Sequence, residues 1–210
     1  MNRISFGGMS LRGGLLRVLV LVLFAPLVWA QSPNALIEEA MQLMGGKIEN
    51  RKEELKADRA VLYALIDEVL LPRFDRRYAA RLVLGRNVRE ASDAQLGRFI
   101  EAFYASMVHK YADGVLEFDQ DQIQVLKFRG DDTKPRVVVK TIVTLDDGTK
   151  VPVDYGLVHR DSGWLMFDVV IEGISYIRNF RAEINAEIQA SSLDAVIARL
   201  EKETGIDAAE

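Results

Sequence analysis

The sequence contains no cysteine and only two histidines. The missing cysteines exclude disulfide bonds, thiol catalysis and thiolate metal sites, so the folded chain depends on its apolar core. Neither His109 nor His159 lies in a motif with metal-ligand spacing, and the chain lacks the G-x-S-x-G turn, the G-x-G-x-x-G loop and the P-loop. The sequence therefore predicts no metal site, no catalytic residue, no cofactor and no enzyme activity. We expect both histidines to be surface or packing residues.

The first thirty residues have the layout of a secretory signal peptide. Three arginines and no acidic residue precede an apolar run from Val18 to Val28, and the segment ends in Val-Trp-Ala before Gln31. This run is too short for a transmembrane helix, which needs about 20 residues. Because no cysteine follows the expected cleavage point, a lipoprotein anchor is excluded. We expect an exported chain with one domain over residues 31–210.

The charge balance of the expected mature chain is acidic. Residues 1–30 hold three of the 27 basic residues and none of the 31 acidic ones, so 24 basic and 31 acidic residues remain, a net formal charge of −7. Nucleic-acid binding usually requires a basic surface. We therefore exclude nucleic acid as a partner.

Apolar residues recur at helical spacing through the first half of the chain. Ser32-Pro33 predicts a helix start, and Gly45-Gly46 predicts a break or kink in that helix. The charged segment 49–59 is expected to be solvated, and helices are expected over 61–70 and about 74–84. The widest apolar stripe follows the capping-box pair Ser92 and Gln95. It consists of Leu96, Phe99, Ile100, Phe103, Tyr104, Met107, Val108 and Tyr111.

After Gly114 the apolar period changes from helical to alternating. Segments 123–128, 136–145, 150–160 and 164–171 are predicted strands, with turns at Asp146-Asp147-Gly148 and at 161–163. Helices from about Ser175 and from Ser192 close the chain. Helices, then strands, then helices predict an α+β fold, in which an antiparallel β-meander presents one apolar face to several helices.

Asp168 and Glu172 are the best candidates for acid–base chemistry. By strict alternation, Asp168 shares a strand face with apolar residues that include Val170, where burial would raise its pKa. The structural alternative is the stronger one. Because both residues lie where the last strand joins a helix, their carboxylates would cap backbone N–H groups or pair with Arg178 or Arg181.

A basic cluster stands out in this acidic chain. Arg73, Arg76, Arg77 and Arg81 are separated by helical steps, which predicts that they share one face. Such a patch would contact a phosphate headgroup, an anionic membrane or an acidic partner. An ordinary solvated helix face is the alternative.

Several groups of residues occur in a family-like order and spacing. They are Leu70-Leu71-Pro72; Tyr78-Ala79-Ala80-Arg81-Leu82-Val83-Leu84-Gly85; Gln95 with Phe99, Phe103 and Tyr111; and Trp164, Asp168, Glu172-Gly173-Ile174-Ser175 and Arg181. Together they resemble the MlaC family of periplasmic phospholipid-binding proteins, also called the toluene-tolerance auxiliary family. The likeness covers nearly the whole expected mature chain.

This resemblance implies a periplasmic carrier that shuttles phospholipid and maintains the lipid asymmetry of the outer membrane. The implied partners are an outer-membrane lipoprotein–porin complex and an inner-membrane ABC transporter with an MCE-domain component. It also implies an apolar lipid pocket between sheet and helices that holds the acyl chains and leaves the headgroup near solvent, so phospholipid is cargo and not a cofactor. Some family members are tied to hopanoid traffic, which leaves another lipid as an alternative cargo.

Facing apolar periodicities on the long helix and on the strands suggest which residues would line that pocket. For each of them, ordinary core packing is an equal alternative. The candidates are Phe99, Phe103, Met107, Tyr111, Val139, Tyr155, Trp164, Met166 and Val170.

Two other classes of function stay open. A cavity enzyme would use Asp168 as its acid or base, and a periplasmic adaptor would bind only protein and contain no lipid.

Overall fold

The computed structural model describes residues 32–117 and 119–206 of the chain. The predicted signal peptide, residues 1–30, lies outside the described residues. The helices are α1 (Pro33–Ile48), α2 (Lys52–Ala57), α3 (Arg59–Leu70), α4 (Arg76–Leu84), α5 (Asp93–Glu117), α6 (Tyr176–Ala190) and α7 (Leu193–Thr204). The strands are β1 (Ile123–Val125), β2 (Arg136–Thr144), β3 (Lys150–Arg160), β4 (Gly163–Ile171) and β5 (Ile174–Ser175). This order confirms the predicted α+β fold.

Helix α1 begins as predicted but continues further. The Ser32 hydroxyl accepts a hydrogen bond from the Ala35 N–H, and Pro33 occupies the first turn. The predicted break at Gly45-Gly46 is wrong, since α1 runs through both glycines to the buried Ile48. A helical glycine costs about 1 kcal/mol relative to alanine, and tertiary packing at the end of the helix offsets that cost.

The charged segment 49–59 is not simply solvated, which corrects the prediction. It contains the short helix α2, whose Leu55 is fully buried. Asp58 then caps α3 by accepting hydrogen bonds from the N–H groups of Ala60 and Val61. Four charged residues in a row precede this one apolar anchor, and a single leucine in so short a helix produces no periodic pattern.

The five strands form one antiparallel sheet in the order β1-β2-β3-β4-β5, which confirms the predicted meander. The turns predicted at Asp146-Asp147-Gly148 and at 161–163 join β2 to β3 and β3 to β4. Strand β1 is shorter than expected, and the two-residue β5 was not predicted. Buried Val137 and Val139 alternate with exposed neighbours along β2, and buried Val143 lies between half-buried ones.

A β-bulge in β4 changes which residues face the helices. Phe167 is an extra residue relative to β3, so beyond it Val169, and not Val170, lies opposite Tyr155. The prediction that Val170 shares a face with Trp164 is therefore wrong. Strict alternation fails across a bulge, because one inserted residue moves every later side chain to the other face.

The buried apolar residues fall into three clusters. The sheet cluster joins α1 to the sheet and consists of Leu36, Ile37, Val137, Val139, Leu157, Trp164 and Met166. The N-terminal helical cluster consists of Ile48, Leu55, Leu62, Leu65, Ile66, Tyr104, Val108, Ala112 and Leu116. The C-terminal helical cluster consists of Ala79, Ala80, Val83, Leu84, Leu96, Phe99, Ile100, Ala102, Phe103, Ile177, Phe180, Ile184, Val196, Ile197 and Leu200.

Among the described residues, no helix is both long enough and apolar enough to cross a membrane.

Candidate functional site

The structure separates the nine predicted pocket residues into groups. Val139, Trp164 and Met166 belong to the sheet cluster, and Tyr155 packs against it. Phe99 and Phe103 are fully buried in the C-terminal helical cluster, where Met107 and Tyr111 pack against them. Val170 lies on the opposite side of the sheet from Tyr155. The sheet residues therefore face α1, whereas the α5 aromatic residues face other helices.

The aromatic residues of α5 have ring partners within the helical layer. The Phe99 and Phe103 rings stack with centroids 5.5 Å apart, and Phe103 meets Phe180 edge to face at 5.1 Å. Tyr111 meets Tyr176 edge to face at 4.7 Å. Such pairs stabilise the contact between α5 and α6 beyond the area they bury. Helix α5 thus faces two clusters, and its wide stripe is mainly a helix–helix contact.

Phe74 lies where the apolar clusters meet, and the sequence had not identified it as a site residue. This half-buried residue packs against all three apolar clusters. Its backbone forms a parallel bridge to Met166, and the Asp75 N–H donates to the Met166 carbonyl at 2.7 Å. A usable signal was present, because an apolar residue directly before an N-cap often packs back onto its helix. Here Asp75 is that N-cap: its Oδ1 accepts from the Tyr78 N–H at 2.8 Å.

Two further residues link neighbouring clusters. Leu70 packs against both the sheet cluster and the N-terminal helical cluster, and Met107 packs against both helical clusters. With Phe74 they form what we call the junction, a set of three partly buried side chains. The apolar interior is therefore continuous, yet the contacts between its parts are made by side chains that are not fully enclosed.

The four predicted arginines do not share one face. Arg73 lies in a 3₁₀ turn before α4, pairs with Glu39 and donates to the Val69 carbonyl at 2.8 Å. The one-face prediction is wrong for this residue, because the helical period starts only at Arg76. The side chains of Arg77 and Arg81 are exposed one turn apart on α4.

A groove of about 580 Å³ opens beside the junction. Its charged residues are Asp75, Arg76, Arg77, Glu101 and Arg160, and its other lining residues are Leu71, Phe74, Gly97, Ile100 and Leu165. Arg160, which had not been predicted as a site residue, donates from Nε to Asp75 Oδ2 at 2.7 Å. We call this the arginine groove. Arg73 and Arg81 are not among its lining residues.

A second groove of about 380 Å³ lies between α5, α6 and α7. Phe103 and Phe180 are among its apolar lining residues, and Lys110 lies over the Phe180 ring at 5.2 Å. Arg199 forms ion pairs with Glu187 and Glu203 at 2.6 and 2.8 Å. Because Arg199 and these glutamates neutralise one another, they stabilise the contact between α6 and α7.

Asp168 holds the start of α6. Its Oδ2 accepts from the Ser175 hydroxyl at 2.6 Å, and its Oδ1 accepts from the Ile177 N–H at 3.1 Å. Ser175 itself caps α6 by accepting from the Arg178 N–H at 3.1 Å. Because of the bulge, Asp168 lies opposite Gly156 and not on the face of Tyr155. These contacts favour the structural interpretation of this carboxylate, with backbone N–H capping in place of the predicted arginine pairs.

Burial perturbs two tyrosines near the apolar clusters. Burial raises the pKa of Tyr155, beside the sheet cluster, to about 12. Burial is also the main cause that raises the pKa of Tyr104, and the nearby charge of Asp67 is the second cause. The Tyr104 hydroxyl and Asp67 Oδ1 are buried atoms without a hydrogen-bond partner among the described residues. Both tyrosines therefore stay neutral at ordinary pH.

Both histidines make aromatic contacts. His109 stacks on Tyr63 with ring centroids 4.0 Å apart, and His159 meets Trp164 edge to face at 4.8 Å. Burial lowers the pKa of His109. The part of the chain that the structure describes contains no cluster of three or more metal-ligating side chains.

The fold and the site define a class: an α+β protein whose antiparallel meander and helices surround a divided apolar interior with a charged groove at its junction. The profile of the MlaC protein family matches residues 38–202. The chain therefore belongs to the MlaC family, as the motifs had indicated.

The chain is also similar to two relatives and to one solved structure. It is 29% identical over 187 residues to toluene tolerance protein ttg2D of Pseudomonas putida, covering 88% of this chain and 85% of that protein. It is 23% identical over 176 residues to the intermembrane phospholipid transport system binding protein MlaC of Haemophilus influenzae, covering 81% of each. The fold matches the phospholipid-binding protein of Ralstonia solanacearum, solved in complex with a phospholipid, with a TM-score of 0.74, 19% identity, and coverage of 84% of this chain and 97% of that one.

Proposed function

We propose that this protein is a periplasmic phospholipid carrier that acts without catalysis. Its cargo would move between an outer-membrane lipoprotein–porin complex and an inner-membrane ABC transporter with an MCE-domain component. The names of the relatives support this proposal, since they refer to intermembrane phospholipid transport, to toluene tolerance and to a bound phospholipid. The proposed role needs no cofactor.

The observation that carries the proposal is the divided apolar interior. The sheet and α1 bury one apolar cluster, and the helices bury two more. The junction residues Leu70, Phe74 and Met107 connect these clusters. Because the core is divided in this way, one cluster can open while the other two stay packed. Methionine suits such a boundary, because its unbranched side chain adapts to changing shapes.

The energetics of acyl chains explain why a carrier needs such an interior. Exposing an acyl chain to water costs about 0.8 kcal/mol per CH₂ group, so a chain of about 15 groups costs on the order of 12 kcal/mol. Unassisted passage through an aqueous compartment is therefore very slow. Inside an apolar interior the chain is nearly as stable as in a bilayer, so loading and unloading become nearly neutral. The direction of transport then comes from the partners.

The sheet cluster is the proposed site of the acyl chains. Val139 is fully buried opposite Tyr155, and Leu36 and Ile37 of α1 cover the same face. Displacing α1 from this face would expose apolar surface for a chain while the hydrogen bonds of the sheet remain intact. The side chain of Asp168 is engaged in capping α6, which supports a binding role over an enzyme that uses this carboxylate.

Organic extraction of the purified protein followed by mass spectrometry tests the proposal. We expect glycerophospholipid at a stoichiometric level, and transfer of that lipid between two vesicle populations when the protein is added. A hopanoid in the extract would instead identify the alternative cargo. An extract without lipid, together with no transfer, would leave the protein-only adaptor as the better explanation.

A further inference from the structure

The arginine groove combines charge and apolar surface at one place. Arg76 Nη1 pairs with Glu101 Oε2 at 2.5 Å, and Arg160 pairs with Asp75 at 2.7 Å. Arg77 is exposed and has no ion pair among the described residues. Three arginines against two acids leave one positive charge in excess. The groove therefore suits a ligand that carries a single negative charge.

Two of these arginines are held by neighbouring aromatic rings. The Arg160 guanidinium lies 4.9 Å from the centroid of the Tyr78 ring, and that of Arg76 lies 5.4 Å from the centroid of the Tyr104 ring. Ring contacts and ion pairs together orient both guanidinium groups, which reduces the entropy lost when they bind an anion. Arg77 has no such restraint and supplies the excess charge.

The apolar side of the groove leads toward the interior. Leu71, Phe74, Ile100 and Leu165 line it, and Leu71 is 39% exposed. Phe74 continues directly into all three apolar clusters. A free phosphate ion gains nothing from this apolar surface. A molecule with an anionic head and an apolar body gains from both.

We propose that the arginine groove binds the phosphodiester headgroup of the carried phospholipid, with Phe74 at the point where the acyl chains enter the interior. This inference rests on the proposed function and names its headgroup site. Arg77 is the main phosphate ligand. Arg76 and Arg160, which stay paired with Glu101 and Asp75, face the same phosphate. Glu101, whose side chain is 54% exposed, lies in the same groove and would accept hydrogen bonds from a headgroup amine.

A pair of charge variants tests the phosphate contact. Arg77→Gln is compared with Arg86→Gln, since Arg86 is also exposed and without an ion pair in the described ranges but lies outside the groove. The measurement is uptake of phosphatidylethanolamine relative to diacylglycerol with the same acyl chains, which lacks only the phosphate headgroup. We expect Arg77→Gln to reduce this ratio about three- to tenfold, the loss expected for one solvent-exposed charge-assisted hydrogen bond, and Arg86→Gln to leave it unchanged.

Four outcomes would count against the site. An unchanged ratio for Arg77→Gln, or an equal fall for both variants, overturns the assignment, because a specific contact must distinguish the two arginines. Failure of the unmodified protein to take up either lipid refutes the proposed function and this inference with it. Diacylglycerol taken up as well as phosphatidylethanolamine by the unmodified protein refutes the headgroup site alone.

The lack of cysteine in the chain allows an independent positional test. Gly97 lines the groove and Gly114 lies 17 positions later on α5, about 26 Å away along the helix. Beyond the adjacent backbone of α5, a Cβ atom at either glycine would meet nothing within 4 Å, so Gly97→Cys and Gly114→Cys both fit. Each variant is labelled with a fluorophore and loaded with phosphatidylcholine that carries a nitroxide on its headgroup. We expect quenching at least twofold stronger for Gly97→Cys, whereas equal or reversed quenching overturns the groove as the headgroup site.

Discussion

At the scale of residues, a few polar side chains hold several elements together at once. Asp75 caps α4 through Oδ1, accepts from Arg160 through Oδ2, and donates its backbone N–H to the Met166 carbonyl. One residue thereby fixes the helix, the edge of the sheet and one rim of the arginine groove. Asp168 has a comparable role at the start of α6. These carboxylates accept hydrogen bonds from groups that are otherwise unsatisfied at helix ends.

Replacing Asp168 separates its structural role from catalysis. In Asp168→Asn one of the two accepting oxygens becomes an amide donor, so either the Ser175 or the Ile177 hydrogen bond is lost. We expect a loss of about 1–2 kcal/mol in the free energy of unfolding and a fall of about 2–8 °C in Tm, with lipid content unchanged.

Asp161→Asn provides the control, because Asp161 is exposed in the turn between β3 and β4. It should alter neither Tm nor lipid content. Loss of lipid transfer in Asp168→Asn at full stability would contradict the capping role and restore the cavity-enzyme hypothesis.

At the scale of elements, ion pairs attach α7 to its neighbours. Arg98 of α5 forms two hydrogen bonds with Glu201 at 2.8 and 2.6 Å, and Arg199 forms two with Glu187 of α6 at 2.7 and 2.6 Å. The hydrogen bonds from these arginines lower the pKa of both glutamates from the usual value near 4.5. Buried Val196, Ile197 and Leu200 complete the attachment of α7.

These lowered pKa values predict how stability depends on pH. The unfolded chain binds protons near pH 4.5 while the folded glutamates resist protonation, so the ion pairs stabilise the fold above that pH and lose their effect as pH falls through the lower folded pKa. We expect Glu201→Gln to lower the urea midpoint at pH 7, and its difference from the unmodified protein to shrink as the pH falls below 4.5.

Glu90→Gln serves as the comparison, because Glu90 is exposed and forms no ion pair in the part of the chain that the structure describes. Its urea midpoint should follow that of the unmodified protein at both pH values. A difference between Glu201→Gln and the unmodified protein that keeps the same size from pH 7 to pH 3 would show that packing, and not the ion pair, is the cause.

At the scale of the whole molecule, the separation of the sheet cluster from the helical clusters is the feature on which cargo binding depends. Val138 and Val139 are adjacent on β2 and point to opposite faces of the sheet. Val138 is 49% exposed and Val139 is fully buried under α1. This pair gives matched positions inside and outside the proposed lipid site.

A tryptophan at each position tests where the acyl chains lie. Val139→Trp should fill the space that the chains need, and we expect it to purify with at most a tenth of the normal phospholipid and to lose about 1–3 kcal/mol of stability through overpacking. Val138→Trp should keep its lipid and its Tm. Lipid content is measured by extraction and mass spectrometry, and folding by circular dichroism.

Normal phospholipid content in a folded Val139→Trp protein would remove the sheet cluster as the cargo site. Val170→Trp is not expected to block lipid, since the bulge in β4 places Val170 on the other face of the sheet. A strong effect at Val170 with none at Val139 would place the chains on the opposite side of the sheet.

Local patterns in the sequence predicted the elements but not their partners. The capping pair Ser92 and Gln95 is present as expected, with hydrogen bonds of 2.9 and 3.1 Å, because both partners lie within one helical turn. Helix α5 continues past Gly114 because Ala112 and Leu116 are buried on its inner face. Periodicity identified the apolar stripe of α5, yet it could not show that Phe103 would meet Phe180 instead of the sheet.

By itself, the sequence determined the α+β order of elements, the meander, the helix caps and the family, because all of these depend on residues close together in the chain or on motifs in a fixed order. Only the tertiary structure decided the three apolar clusters, the junction at Phe74 and the meeting of Arg77 with Arg160 in one groove. The physical reason is that side-chain period records which residues avoid water, whereas the choice among apolar partners depends on a single bulge, a 3₁₀ turn and the packing of elements distant in sequence.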